Sequence, residues 1–168
     1  MGLPGYYEYA CQLGEALTER GWIMATAESC TGGLLSAALT DVPGSSQWFE
    51  RGFVTYSNEA KIKHLAVATD TLDHYGAVSE ETAMEMAGGV LAATPRADFA
   101  IATTGVAGPG GGTAGKPVGM VCFGFAHRAG SGVSIQAVTR LFEGDRRNVR
   151  EAAVQFALTT ALQLISPR

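Results

Sequence analysis

A chain of 168 residues with 46% hydrophobic content can bury one proper core and is too short for two ordinary domains, so a single domain over residues 1–168 is expected. A net charge of -4 with no block of Lys or Arg argues against a nucleic-acid partner or an anionic membrane surface. The three cysteines, Cys11, Cys30 and Cys122, form no C-x-x-C pair, the start Met1-Gly2-Leu3-Pro4-Gly5-Tyr6 lacks a signal-peptide pattern, and no apolar run would span a bilayer. A soluble, cytoplasmic protein without disulfides or zinc is the expectation.

In chain order, residues 6–20 read as a helix with Tyr9, Leu13, Ala16 and Leu17 on one face, stopped by Gly21. Residues 22–27 read as a strand, and 34–39 as the body of a helix starting near Thr31. A short strand is predicted at 53–56, followed by a helix from Ser57 or Asn58 to about Leu65. Ser79 ahead of Glu80 and Glu81 is a cap followed by acids suited to the positive end of the helix dipole, opening a helix to about Ala92. Residues 99–103 read as a buried strand, 118–126 and 133–142 as a hairpin, and 145–165 as a closing amphipathic helix. This order predicts an α/β fold with three layers, α/β/α, around a mixed sheet of about five strands.

The glycine-rich run from Gly108 to Gly115 contains two deceptive matches. Gly110 to Lys116 resembles the start of a P-loop, and Gly110 to Gly115 satisfies G-x-G-x-x-G. Pro117 stands where a P-loop has Ser or Thr, and a strand follows instead of a helix, so no dipole end is present to hold a phosphate. Just upstream, the segment from Thr103 through Gly105, Val106, Ala107 and Gly108 ends a strand with glycines that let backbone approach a ligand. The plainer alternative is a surface loop without a catalytic part.

Ser29 and Thr31 sit with Gly32 and Gly33 at a strand-to-helix turn, where free amides can receive an anion, or where a hydroxyl simply caps the helix. Cys30 has no recognisable partner histidine and reads as a packing residue. Gly44-Ser45-Ser46 offers two hydroxyl nucleophiles in need of a base, and none of His64, His74 or His127 stands in a triad signature. Lys61 falls near the first turn of its helix, where the dipole and partial burial both disfavour its charge and fit it to act as a base, with Tyr56 adding a phenol nearby. A solvated helix lysine is the alternative reading.

The blocks AESCTGG, VPGSSQWFERGFVTYSNEAK, YGAVSEET, TTGVAGPGGG and KPVGMVCFGFA, running from about Ala10 to Leu164, resemble the successive signatures of the CinA C-terminal domain family, the nicotinamide mononucleotide deamidases also called PncC. The resemblance implies hydrolysis of the carboxamide of nicotinamide mononucleotide to nicotinic acid mononucleotide and ammonia in pyridine nucleotide salvage. It implies no metal or organic cofactor, and a dimer. It departs from the family at Gly110, where many members carry a larger polar residue, and in lacking the N-terminal partner domain of full-length relatives.

By position, the family's catalytic serine falls on Ser46, its lysine on Lys61 and its tyrosine on Tyr56, with Ser29 in the same pocket. The expected reaction has neutral Lys61 take the proton of Ser46, with an oxyanion held by amides around Ser45 and Ser46 or Gly105 and Val106. The substrate phosphate is assigned to the Thr31-Gly32-Gly33 turn, the Gly105 to Gly108 loop or Arg51, and Glu28 either faces the pyridinium or orients Lys61 or an amide. Two alternatives stay open: an amidase for another small amide, and an inactive paralogue that binds a nucleotide.

Overall fold

The computed structural model describes residues 4–166, so Met1 to Leu3 of the stretch read for a leader lie outside it. Helix α1 (Tyr7–Arg20) buries Leu13 and Leu17 and stops where Gly21 takes a left-handed φ of 66°, a conformation that costs glycine little. The fully buried strand β1 (Met24–Glu28) leads through a tight turn into helix α2 (Leu34–Thr40). A single 3₁₀ turn at Ser45–Gln47 precedes strand β2 (Phe49–Val54). Three helices follow: α3 (Asn58–Leu65), capped by the Ser57 hydroxyl, α4 (Thr69–Tyr75), and α5 (Glu80–Ala93), capped by Ser79. Strands β3 (Phe99–Gly105), β4 (Met120–Ala129) and β5 (Gly132–Leu141) lead to α6 (Arg146–Ile165), which opens on a capping box between Asp145 and Asn148.

The five strands lie in the order β2-β1-β3-β4-β5, with β1 parallel to β2 and β3 and the β3-β4-β5 part antiparallel. The expected mixed five-stranded sheet between helical layers is therefore observed. Two local expectations differ. Strand β2 begins at Phe49 rather than Phe53 because ladder pairing with β1, and not its own half-exposed pattern, defines it. Helix α4 has no counterpart in the expectations: it buries only Leu72, and its start is held from afar by Glu85 of α5, whose carboxylate accepts from the Ala68 amide at 2.8 Å and from the Thr71 hydroxyl.

The two faces of the sheet use residues of different size. Phe99, Ile101, Val121, Phe123 and Phe125 pack toward α1, α2 and α6, where Phe123 meets Phe156 at 4.7 Å between ring centroids. Each such aromatic contributes about 1.5–3 kcal/mol by leaving water. The opposite face carries Ala25, Ala27, Ala100, Ala102 and Ala126, small enough for α5 to lie close. At Gly124 a Cβ would collide with the carbonyl of Ala83, and at Gly89 with that of Leu65, so glycine permits α5 to touch both β4 and α3.

In the ladders Glu28 stands level with Val54 and with Thr103. The turns leaving β1, β2 and β3 consequently gather at one end of the sheet, the place where open α/β sheets hold ligands.

Candidate active site

Ser29 is the first residue beyond β1, and its amide donates to the Thr103 carbonyl at 2.9 Å, which fixes it over the end of β3. Lys61 lies in the first turn of α3 and is 1% exposed. Its Nζ lies 3.0 Å from Ser29 Oγ, 2.8 Å from the Thr55 carbonyl and 3.2 Å from the Tyr56 carbonyl. Burial pushes the Lys61 ammonium below the usual lysine range, opposed by the neighbouring Cys30. Once neutral, the amine keeps two N–H groups for the two carbonyls and turns its lone pair to the serine hydroxyl. That is the geometry of an alcohol nucleophile with its base.

The pair opens into a cavity of about 310 Å³ lined by Tyr56, Val78, the Gly105 to Gly108 loop and Arg146. Arg146 donates to the Tyr56 hydroxyl at 2.9 Å and to the Gly108 carbonyl at 2.8 Å, and among the described residues no carboxylate pairs with it. The rim thus carries a positive group above the buried Ser29–Lys61 pair. Two roomier hollows, of about 640 and 650 Å³, hold no such convergence of a nucleophile with a base. Among the described residues no cluster of three metal-ligating side chains occurs.

Of the residues expected at the site, Ser29, Tyr56, Lys61, Gly105, Val106, Ala107 and Gly108 line this cavity. Ser46 does not. It is exposed on the 3₁₀ turn before β2, at the end of the sheet marked by Met24, whereas Lys61 lies beyond the far end of β2. A six-residue strand separates them, roughly 20 Å. The Ser46–Lys61 pair is therefore not formed within the chain, and Ser29 occupies the position beside the amine. Ser45 shares the distant turn, and Arg51, paired with Glu50 at 2.6 Å, stands in β2 opposite Ala25, also away from the cavity.

The side chains of Glu28 and Thr31, with Gly32 and Gly33, stand behind Ser29 and do not line the cavity. Glu28 is fully buried and accepts from Thr31 Oγ1, the Gly33, Leu35 and Ser36 amides, and Ser36 Oγ. Its carboxylate already takes the free amides at the start of α2, the donors expected to receive an anion, and it faces them rather than the cavity. The Val106 amide is likewise spent, on the Met120 carbonyl at 2.8 Å, and so cannot serve an oxyanion.

The sequence reading missed Arg146 and Arg150. One local signal existed: Arg146, Arg147 and Arg150 crowd the first turns of α6, the positive end of its dipole, where cations are disfavoured without another purpose.

A model of the CinA C-terminal domain matches residues 7–165. The chain belongs to the CinA C-terminal domain family. Its relatives include the nicotinamide-nucleotide amidohydrolase PncC of Enterobacter agglomerans, 52% identical over 94% of this chain and 93% of that protein. PncC of Escherichia coli K12 is 51% identical over 90% of both chains. The CinA-like protein of Chloroherpeton thalassium is 55% identical over 92% of this chain, which spans 36% of that relative's length. Among solved structures, the competence/damage inducible protein CihA of Agrobacterium tumefaciens superposes with a TM-score of 0.91 at 45% identity, covering 99% of this chain and 100% of that one. The CinA family resemblance read from the signature blocks is borne out.

Proposed function

We propose that this chain is a nicotinamide-nucleotide amidohydrolase that converts nicotinamide mononucleotide to nicotinic acid mononucleotide and ammonia, with Ser29 as nucleophile and Lys61 as its base. The observation that carries the reading is the 3.0 Å contact between a buried, uncompensated lysine and a serine at the floor of a cavity, in a chain half identical to enzymes of that name.

In the proposed cycle neutral Lys61 removes the Ser29 hydroxyl proton as Oγ bonds to the carboxamide carbon. The ammonium of Lys61 then gives that proton to the amide nitrogen, the C–N bond breaks and ammonia leaves. Water enters, loses a proton to Lys61 and attacks the ester, and Ser29 departs with the proton returned to it. The substrate phosphate lies against Arg146 and the Gly105 to Gly108 loop, a placement favoured by a rim guanidinium that no carboxylate among the described residues neutralises. No cofactor is needed for these steps.

The rest of the reading is a dimer in the cytoplasm. Exposed Ile62, Val133 and Ile135 favour self-association, and three unbridged cysteines fit a reducing compartment. Sedimentation of the purified protein tests the former.

The deciding experiment measures ammonia release from nicotinamide mononucleotide, its riboside, free nicotinamide and unrelated small amides. Preference for the mononucleotide is expected. Equal rates across the panel would replace this assignment with a general amidase, and no release from any of them would leave a nucleotide-binding paralogue.

A further inference from the structure

The turn that carries Ser29 is held from outside the cavity by a cation. Arg150, half-buried on α6, donates from Nε to the Cys30 carbonyl at 3.2 Å and from Nη2 to the Thr31 carbonyl at 3.1 Å. Among the described residues no carboxylate pairs with it. A long, charged side chain loses conformational entropy when it is ordered, and here both contacts that order it are to backbone of one turn.

Because a trans peptide points its C=O and N–H in opposite directions, fixing a carbonyl fixes the next amide. The Arg150 contact to the Cys30 carbonyl directs the Thr31 N–H away from α6. The Gly32 amide donates to the Ser29 carbonyl at 3.0 Å, which sets the direction of the Cys30 N–H in the same way. From the other end, Glu28 grips the Gly33, Leu35 and Ser36 amides. Every peptide around the nucleophile is thus held, yet the amides of Cys30 and Thr31 have no acceptor among the described residues. Both residues are buried, and Cys30 lines the cavity. A buried N–H without a partner is costly, and two in succession beside a nucleophile are matched to a charge that appears only during reaction.

We propose that the N–H groups of Cys30 and Thr31 hold the oxyanion formed when Ser29 adds to the carboxamide, and that Arg150 is the positioning residue that aims them. The inference rests on the Ser29–Lys61 reading above. Oxygen of the amide carbonyl gains the electron pair as Oγ bonds to carbon, and returns it as the nitrogen leaves. Arg150 touches neither substrate nor reacting atoms.

The test compares wild type, Arg150→Met and Arg150→Lys on nicotinamide mononucleotide and on its thiocarboxamide analogue, in which sulfur, a weaker acceptor, replaces the carbonyl oxygen. Misaimed donors lower kcat on the amide by about 10- to 100-fold with KM within about threefold, and shrink the preference for oxygen over sulfur by a similar factor. Lysine restores part of both, since it supplies one donor to the same carbonyls. An unchanged kcat, or a lowered kcat with the oxygen preference intact, overturns the inference. Should the methionine variant fail to fold, the lysine variant decides by the same ratio. Full activity of Ser29→Ala would instead remove the reading on which the inference rests, so the two failures are told apart.

Discussion

Lys61 and Ser29, 32 residues apart in the chain, meet at 3.0 Å because α3 and the turn after β1 are brought together at the same end of the sheet. The amine has no carboxylate beside it among the described residues and leans on two backbone carbonyls. A lysine so placed is costly to charge and inexpensive to deprotonate.

Ser29→Ala and Lys61→Met each lower kcat by about a thousandfold or more, as loss of a nucleophile or its base does, while nicotinamide mononucleotide still binds. Ser46→Ala, on an exposed turn at the other end of the sheet, changes turnover by no more than about twofold. Steady-state ammonia release with calorimetric binding checks all three.

The pH dependence follows from the lowered Lys61 pKa. With the neutral amine as the proposed base, kcat/KM is expected to rise with pH through the folded-state pKa and to reach its plateau below the ordinary lysine value of 10.5. Stability follows the same group. Below the folded pKa the buried charge carries its full penalty, and between that pKa and 10.5 the unfolded chain binds more protons, so stability rises with pH. Wild type therefore gains in Tm on Lys61→Met as pH is raised through that window, and a constant difference would contradict the shift.

Tyr56→Phe keeps most of the turnover, because the Tyr56 carbonyl, and not its ring, holds Lys61. Arg146→Ala raises KM at least about tenfold, the size expected from losing a charge-assisted contact to phosphate. Initial-rate measurements separating KM from kcat distinguish the two.

Glu28→Ala strands the Gly33, Leu35 and Ser36 amides and two hydroxyls. The cost is about 3 kcal/mol or more, and Tm falls by roughly 6–12 °C. Glu28→Gln, which keeps the shape but turns donors toward donors, recovers only part. Thermal unfolding followed by circular dichroism reads both.

Gly89→Ala places a methyl against the Leu65 carbonyl and pushes α3 off α5. Overpacking of this kind costs about 1–3 kcal/mol. Because α3 carries Lys61, kcat falls along with Tm, whereas a stability loss elsewhere, such as Phe123→Ala in the opposite layer, lowers Tm with kcat retained below the transition.

Local chemistry written in the sequence specified most elements. The Ser57 and Ser79 caps, the Gly21 stop and the alternation of Phe99 and Ile101 with Ala100 and Ala102 all act over a few residues and were legible there. The AESCTGG and TYSNEAK blocks likewise marked Ser29, Tyr56 and Lys61 as members of one site. Which serine faces the amine was a different matter, since Ser46 and Ser29 both sit in small-residue turns and only the parallel pairing of β1 with β2 sends their side chains to opposite ends of the sheet. Tertiary structure alone also brought Arg146 and Arg150, more than a hundred residues beyond Ser29, against the Tyr56, Gly108 and Cys30–Thr31 segments and turned Glu28 inward to five donors, because contacts across that distance depend on how layers pack and leave no periodic trace in the chain.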